Sequence, residues 1–74
     1  DIKFSVIAGS FSLEQNATRL VNQLKGEKYN AKIIGTNKKG LIRVCYESFS
    51  TKEEAISMLE NLKSEGKPGW ILSL

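Results

Sequence analysis

Apolar and polar residues alternate over residues 2–8. Phe4, Val6 and Ala8 fall on one side, Lys3, Ser5 and Ile7 on the other, the period of two that marks a half-buried strand. The period then lengthens. Leu13, Ala17, Leu20, Val21 and Leu24 recur at i, i+4, i+7, i+8 and i+11, the apolar stripe of an amphipathic helix. Ser12 and Gln15 stand at capping-box spacing before that stripe, and Gly26 is expected to end it. Residues 29–35 alternate again, with Tyr29, Ala31 and Ile33 opposite Lys32 and Ile34. Asn37-Lys38-Lys39-Gly40 reads as a turn in which Gly40 can take positive φ. The same plan then repeats: a strand over 41–47, a capping box at Ser50 and Glu53, a helical stripe of Ala55, Met58, Leu59 and Leu62, Gly66 past the helix end, a Pro68-Gly69 turn and a strand over 70–74.

The repetition extends to residue identity. A shift of 38 residues lays Ser10-Phe11-Ser12 over Ser48-Phe49-Ser50, and nine of the 29 positions in 6–34 match those in 44–72. Ordinary residue usage gives about two matches by chance. Two copies are too few for a solenoid, so the chain reads as one domain over 1–74 with pseudo-duplicated halves, about 2–36 and 40–74.

The implied order is βαββαβ, an α+β fold of the ferredoxin-like or RNP-like kind. Right-handed crossovers put both helices on one face of a four-stranded antiparallel sheet, which leaves the other face open. If Phe4, Val6 and Ala8 point to the helices, Ser5 and Ile7 point away. By the same logic Ile42, Val44 and Tyr46 are inward, while Leu41, Arg43 and Cys45 are outward. Through the duplication, Trp70 and Leu72 match Lys32 and Ile34 on the open side. That face mixes apolar groups with cations and is less polar than a merely solvated surface, so it is expected to bind a ligand or to pack on a protein.

Composition narrows the chemistry. The 74 residues hold no histidine and one cysteine, Cys45. The commonest general base and metal ligand are therefore missing, and an internal disulfide or thiolate metal cluster cannot form. Neither catalysis nor a cofactor is expected. Eleven basic against eight acidic residues give a net charge of +3, a mild bias toward anionic polymers. Trp70 offers a flat platform for a sugar ring or a base, Arg43 a planar fork of donors, and Ser10 a hydroxyl where the first strand turns into its helix. Each also has a structural reading: an edge-strand aromatic, a solvated strand arginine, and a turn serine like its duplicate Ser48.

RNA-recognition domains share this element order. Their third-strand motif is matched at four positions by Lys39-Gly40-Leu41-Ile42-Arg43-Val44-Cys45-Tyr46, yet Leu41 and Arg43 occupy both base-stacking positions. Each missing aromatic removes roughly 1–3 kcal/mol of stacking per base, and nucleic acid is not expected as a partner.

Val6-x-Ala8-Gly9-Ser10-Phe11-Ser12, a helix carrying Ala17 and Leu20, Tyr29-Asn30-Ala31, Leu41-Ile42-Arg43-Val44, and Ser48-Phe49-Ser50 with Glu54-Ala55 together resemble the SPOR (sporulation-related repeat) domain over essentially the whole chain. The resemblance implies a noncatalytic module that binds peptidoglycan glycan strands, preferably stripped of their stem peptides, on the open sheet face. It also implies a place outside the membrane, in the envelope or at the division septum, as part of a longer protein. The family's serine and strand-three arginine fall on Ser10 and Arg43. Many members carry glutamine at the position of Ile7 and an aromatic at that of Leu41; both are aliphatic here, and Trp70 is the candidate replacement platform. The expected glycan-binding set is thus Ser10, Arg43, Ile7, Leu41, Trp70, Ser5, Lys32 and Ile34, acting in a monomer without membrane contact. The alternative use of the same face is a protein–protein or dimer contact.

Overall fold

The computed structural model describes residues 2–74. Its elements run β1 (Phe4–Phe11), α1 (Glu14–Gly26), β2 (Lys32–Thr36), β3 (Ile42–Phe49), α2 (Lys52–Ser64) and β4 (Trp70–Ser73), the expected βαββαβ order. The strands form one antiparallel sheet in the order β2-β3-β1-β4. Both helices bury their stripes against the same face. Val6 and Val44 lie at the centre of the core with Ala17, Val21, Leu24, Ala55 and Leu62 around them. Ala17 and Ala55, fully buried and 38 residues apart, are small enough to let each helix approach the sheet closely. Burying a leucine such as Leu62 contributes about 1.5–3 kcal/mol.

β1 and β3 run past their expected ends, to Phe11 and Phe49, and their alternation is broken in mid-strand. β1 and β3 pair as Val6↔Glu47, Ile7↔Cys45 and Gly9↔Val44, leaving Ala8 and Tyr46 as extra residues. Each bulge turns the side chains beyond it to the opposite face. Phe11 and Phe49 therefore reach the core, and Ser10 faces Arg43 while Ser5 faces Ser48. A strict period of two would have sent Ser10 inward with Ala8.

The helix ends differ from the sequence expectation in two ways. The capping box of α2 uses Thr51 and Glu54, not Ser50 and Glu53: Thr51 Oγ1 accepts from the Glu54 amide at 3.3 Å and donates to Glu54 Oε1 at 2.8 Å. In α1 the N-cap is Leu13, with no side-chain cap, so Ser12 and Gln15 form no box. At the other end Gly26 is still helical. Lys28 takes the left-handed turn at φ 74°, as Gly66 does at 75° in the second half. The amides of Tyr29 and Lys67 then reach back to the carbonyls of Leu24 and Leu62, closing two equivalent Schellman motifs.

The β2–β3 turn is as expected, with Gly40 at φ 78° and Asn37 Oδ1 accepting from the amides of Lys39 and Leu41. Ile33, expected inward, is half-exposed at 41%. It pairs with Val44 on the helix side, on one edge strand of the sheet. Its duplicate Ile71 packs against the core. Among the described residues no helix is long and apolar enough to cross a membrane.

Candidate functional site

The face away from the helices is organised in rows. Across the middle, Lys32 of β2 faces Cys45 of β3, Cys45 faces Ile7 of β1, and Ile7 faces Trp70 of β4. On one side of this row Arg43 faces Ser10, with Ile34 beside Arg43 on β2. On the other side Ser48 faces Ser5, and Ser5 faces Leu72. The 38-residue shift carries Ile7 to Cys45 and Lys32 to Trp70. It also carries Ser5 to Arg43, Ser10 to Ser48 and Ile34 to Leu72. The Ile7–Cys45 pair thus sits on a pseudo-twofold axis, and the two ends of the face are counterparts.

The centre of this face is sealed. Ser5, Ile7 and Cys45 all have 0% exposure. Ser5 and Ile7, expected as ligand contacts, therefore form a floor, and Cys45 is a buried free thiol on the outward side as expected. Ser5 Oγ and Ser48 Oγ share a hydrogen bond of 2.8 Å, and Ser48 Oγ lies 3.8 Å from Cys45 Sγ. Buried hydroxyls so paired satisfy one another and offer little to a ligand.

The accessible groups lie around that floor. Trp70 is 46% exposed. Arg43 is half-buried and reaches across β1, placing Cζ 5.9 Å from the centre of the Trp70 ring, at the outer limit of cation–π range. Its Nε is buried and has no hydrogen-bond partner among the described residues. Ser10, Leu41 and Ile34 are half-buried, and Lys32 is exposed. No acidic residue occupies any of these positions, so their only charges are the cations of Arg43 and Lys32. Glu47, the nearest carboxylate along β3, pairs with Val6 on the helix side and accepts from Asn30 Nδ2 at 2.9 Å.

A second polar cluster, on the helix side, was not anticipated. Lys67 Nζ donates to Glu27 Oε1 at 3.0 Å and Tyr29 Oη at 3.1 Å, lies 3.2 Å from Glu65 Oε1, and stands 5.0 Å above the Tyr29 ring centre. The Tyr29 hydroxyl and the two carboxylates hold the Lys67 ammonium above the ordinary lysine range. Lys67 and then Gln23 hold the Glu27 carboxyl below its usual range. Tyr29 packs edge-on against Tyr46, ring centres 5.1 Å apart. Burial and then Tyr29 raise the Tyr46 phenol, whose hydroxyl donates to the Pro68 carbonyl at 2.7 Å. Glu27, Tyr46, Lys67 and Pro68 line a groove of about 170 Å³ with Leu20 and Gln23. The sequence did hold a signal for this meeting: Tyr29 and Lys67 are 38 residues apart, each directly after its helix's left-handed residue. Because the charges here already satisfy one another, the cluster is a structural clasp, and as a surface ion pair it contributes little. Unspent donors lie on the sheet face.

The SPOR domain model matches residues 1–73. The chain belongs to the SPOR family. A solved structure with the same fold, at 22% sequence identity and TM-score 0.76, covers all of this chain and 91% of its own; it is the solution structure of the peptidoglycan-binding domain of the Bacillus subtilis cell wall lytic enzyme CwlC. No curated protein matches the chain. Residues 1–73 are nearly the whole sequence, so the family assignment includes both duplicated halves and the sheet face between them. Among the described residues of this SPOR chain, no group of three or more Cys, Asp or Glu side chains is placed to hold a metal ion.

Proposed function

We propose that this SPOR chain is a noncatalytic module that binds peptidoglycan glycan strands on the Arg43 end of its open sheet face. The observation that carries the reading is the Trp70–Arg43–Ser10 group on a face that carries no acidic residue among the described residues. The indole there is exposed and the guanidinium half-buried, with no carboxylate paired to it among the described residues. The apolar side of a sugar ring rests on Trp70, flanked by Leu41 and Ile34. Ser10 and Arg43 hydrogen-bond ring substituents, and Lys32 adds positive charge at the edge. Ile7 and Ser5 act from below, as the packed floor that holds Trp70 and Arg43 in place. The SPOR-family match and the peptidoglycan-binding description of the CwlC neighbour support this reading.

In the same reading the chain acts as a monomer outside the cytoplasmic membrane and targets a longer envelope protein to the wall or septum, favouring glycan freed of stem peptides. A shallow surface of this kind gives affinity on the order of micromolar, reinforced by repeated sites along the polymer.

The test is co-sedimentation with purified cell-wall sacculi, using Arg43→Ala and Trp70→Ala as controls. The wild type should pellet with the walls. Arg43→Ala should weaken retention by at least about tenfold, from the roughly 1.5–3 kcal/mol of a hydrogen bond to a charged group. Trp70→Ala should weaken it severalfold, from about 1 kcal/mol of ring contact. Thermal unfolding of both variants should stay close to wild type, since neither side chain belongs to the core. Wild-type protein that remains in the supernatant would reject wall binding.

A further inference from the structure

We infer that the β2–β3 hairpin is a second binding surface, independent of the proposed sugar contacts, which takes a linear phosphodiester polyanion without bases, a polyol-phosphate chain. Charge segregates along the sequence. Between Glu27 and Glu47 stand Lys28, Lys32, Lys38, Lys39 and Arg43, five of the eleven cations and none of the eight acids. The rest of the chain is net acidic. All four lysines are exposed. Both ion pairs among the described residues belong to Lys67, so no carboxylate there neutralises any of the four.

The fold sets three of these lysines in a strip. β2 is an edge strand of the sheet. Lys32 opens it, and Lys38 and Lys39 stand in the turn past its far end at Thr36. The extended chain between them spans up to roughly 20 Å at about 3.3 Å per residue, enough to meet several charges of a linear polymer. Asn37 Oδ1 accepts from the amides of Lys39 and Leu41, which fixes the turn that carries the two tip lysines. Lysine also guards sheet edges against pairing, but the other edge strand, β4, carries none, and two of the three lysines lie beyond the ladder. The 38-residue shift carries Lys28 to Gly66 and Lys32 to Trp70, so the charges belong to one half and not to the shared scaffold.

The residue types select the polymer. An ammonium is a point charge that meets a phosphate from any side, whereas a planar carboxylate favours the guanidinium fork. The aromatic residues of this segment, Tyr29 and Tyr46, pack on each other on the helix side, and Trp70 stands on the opposite edge strand. The strip therefore lacks the stacking surface that contributes roughly 1–3 kcal/mol per base to nucleic-acid binding. The tip, Asn37-Lys38-Lys39-Gly40, has no apolar side chain to enter a bilayer interface. Charge alone carries the contact.

The test titrates the protein with a synthetic poly(glycerol phosphate) oligomer at 50 and 200 mM salt. Three phosphate contacts predict a slope of log affinity on log salt near −2, at about 0.7 per contact, so affinity should fall roughly fifteenfold between the two conditions. The double variant Lys38→Gln/Lys39→Gln touches neither the core nor the proposed sugar site. It should bind several-fold more weakly at 50 mM salt, with the slope reduced to about −0.7, and should unfold at the wild-type temperature. Lys38→Arg/Lys39→Arg, which keeps the charge, should bind as the wild type does. No binding of the oligomer by the wild type, or equal binding by the glutamine variant, would overturn the hairpin surface. Tighter binding of an equally charged thymidine oligomer, or of phosphatidylglycerol vesicles, would overturn the base-free polymer as its occupant. Sacculi freed of phosphate polymers separate the two sites: wild type and glutamine variant should pellet with them equally. Oligomer binding without such pelleting would reject the sugar site and leave the hairpin surface standing.

Discussion

The two ends of the open face are built on the same backbone plan and do opposite things. At one end Ser5 and Ser48 pair across β1 and β3; at the other Arg43 and Ser10 pair across the same two strands. The 38-residue shift exchanges the two pairs. Ser5 is fully buried and spends its hydroxyl on Ser48. Its counterpart Arg43 leaves the ladder line, crosses β1 to Trp70 and keeps a donor unused. Where Trp70 stands, the other half has Lys32. The comparison teaches that the duplication supplies the scaffold and the departures from it supply the site. A symmetric face would be either two closed serine ends or two open arginine ends.

The most forceful way to break the comparison is to make the ends alike. Ser5→Arg puts a long charged side chain into a position with no exposure. A buried charge without a partner costs about 3–5 kcal/mol, so the thermal midpoint should fall by at least ~10 °C, measured by circular dichroism. A midpoint within a few degrees of wild type would mean that the Ser5 end opens as easily as the Arg43 end, and the distinction between the ends would be lost.

A smaller effect sharpens the comparison on the helix side. Lys28 and Gly66 are equivalent residues with equivalent positive φ, but only glycine adopts that conformation without steric cost. Lys28→Gly should therefore stabilise the protein by about 0.5–1 kcal/mol, raising the midpoint by a few degrees. Gly66→Lys should lower it by a similar amount. No change in either direction would show that the two helix ends are not equivalent in strain.

The element order was legible in the sequence because periods of two and 3.6 residues alternate cleanly and Gly40 and Gly66 punctuate them. What was not legible depended on degeneracy or on long-range contact. Ser50 and Thr51 are both good N-caps with a glutamate three residues on, so local pattern cannot choose between them. The bulges at Ala8 and Tyr46 have no local signature, yet the first turns Phe11 inward and Ser10 outward, and the second turns Phe49 inward and Ser48 outward. The outward direction of Arg43 and Cys45 followed from alternation, and that of Trp70 from the duplication. The sealing of Ile7, Ser5 and Cys45 did not, because burial on the open face depends on contacts between strands, which the pattern within one strand does not carry. The Lys67 clasp unites residues 38–40 positions apart and could be reached only through the duplication.

The most direct measurement is amide chemical-shift mapping of ¹⁵N-labelled protein titrated with a soluble peptidoglycan glycan oligomer. The account predicts that the largest changes fall at Ser10, Leu41, Arg43 and the Trp70 backbone and indole N–H groups. Ser48, Glu27 and Lys67 should move little. Changes centred on the Lys67 groove, or of equal size at the Ser5–Ser48 and Ser10–Arg43 ends, would contradict the claim that the site lies where the two halves differ.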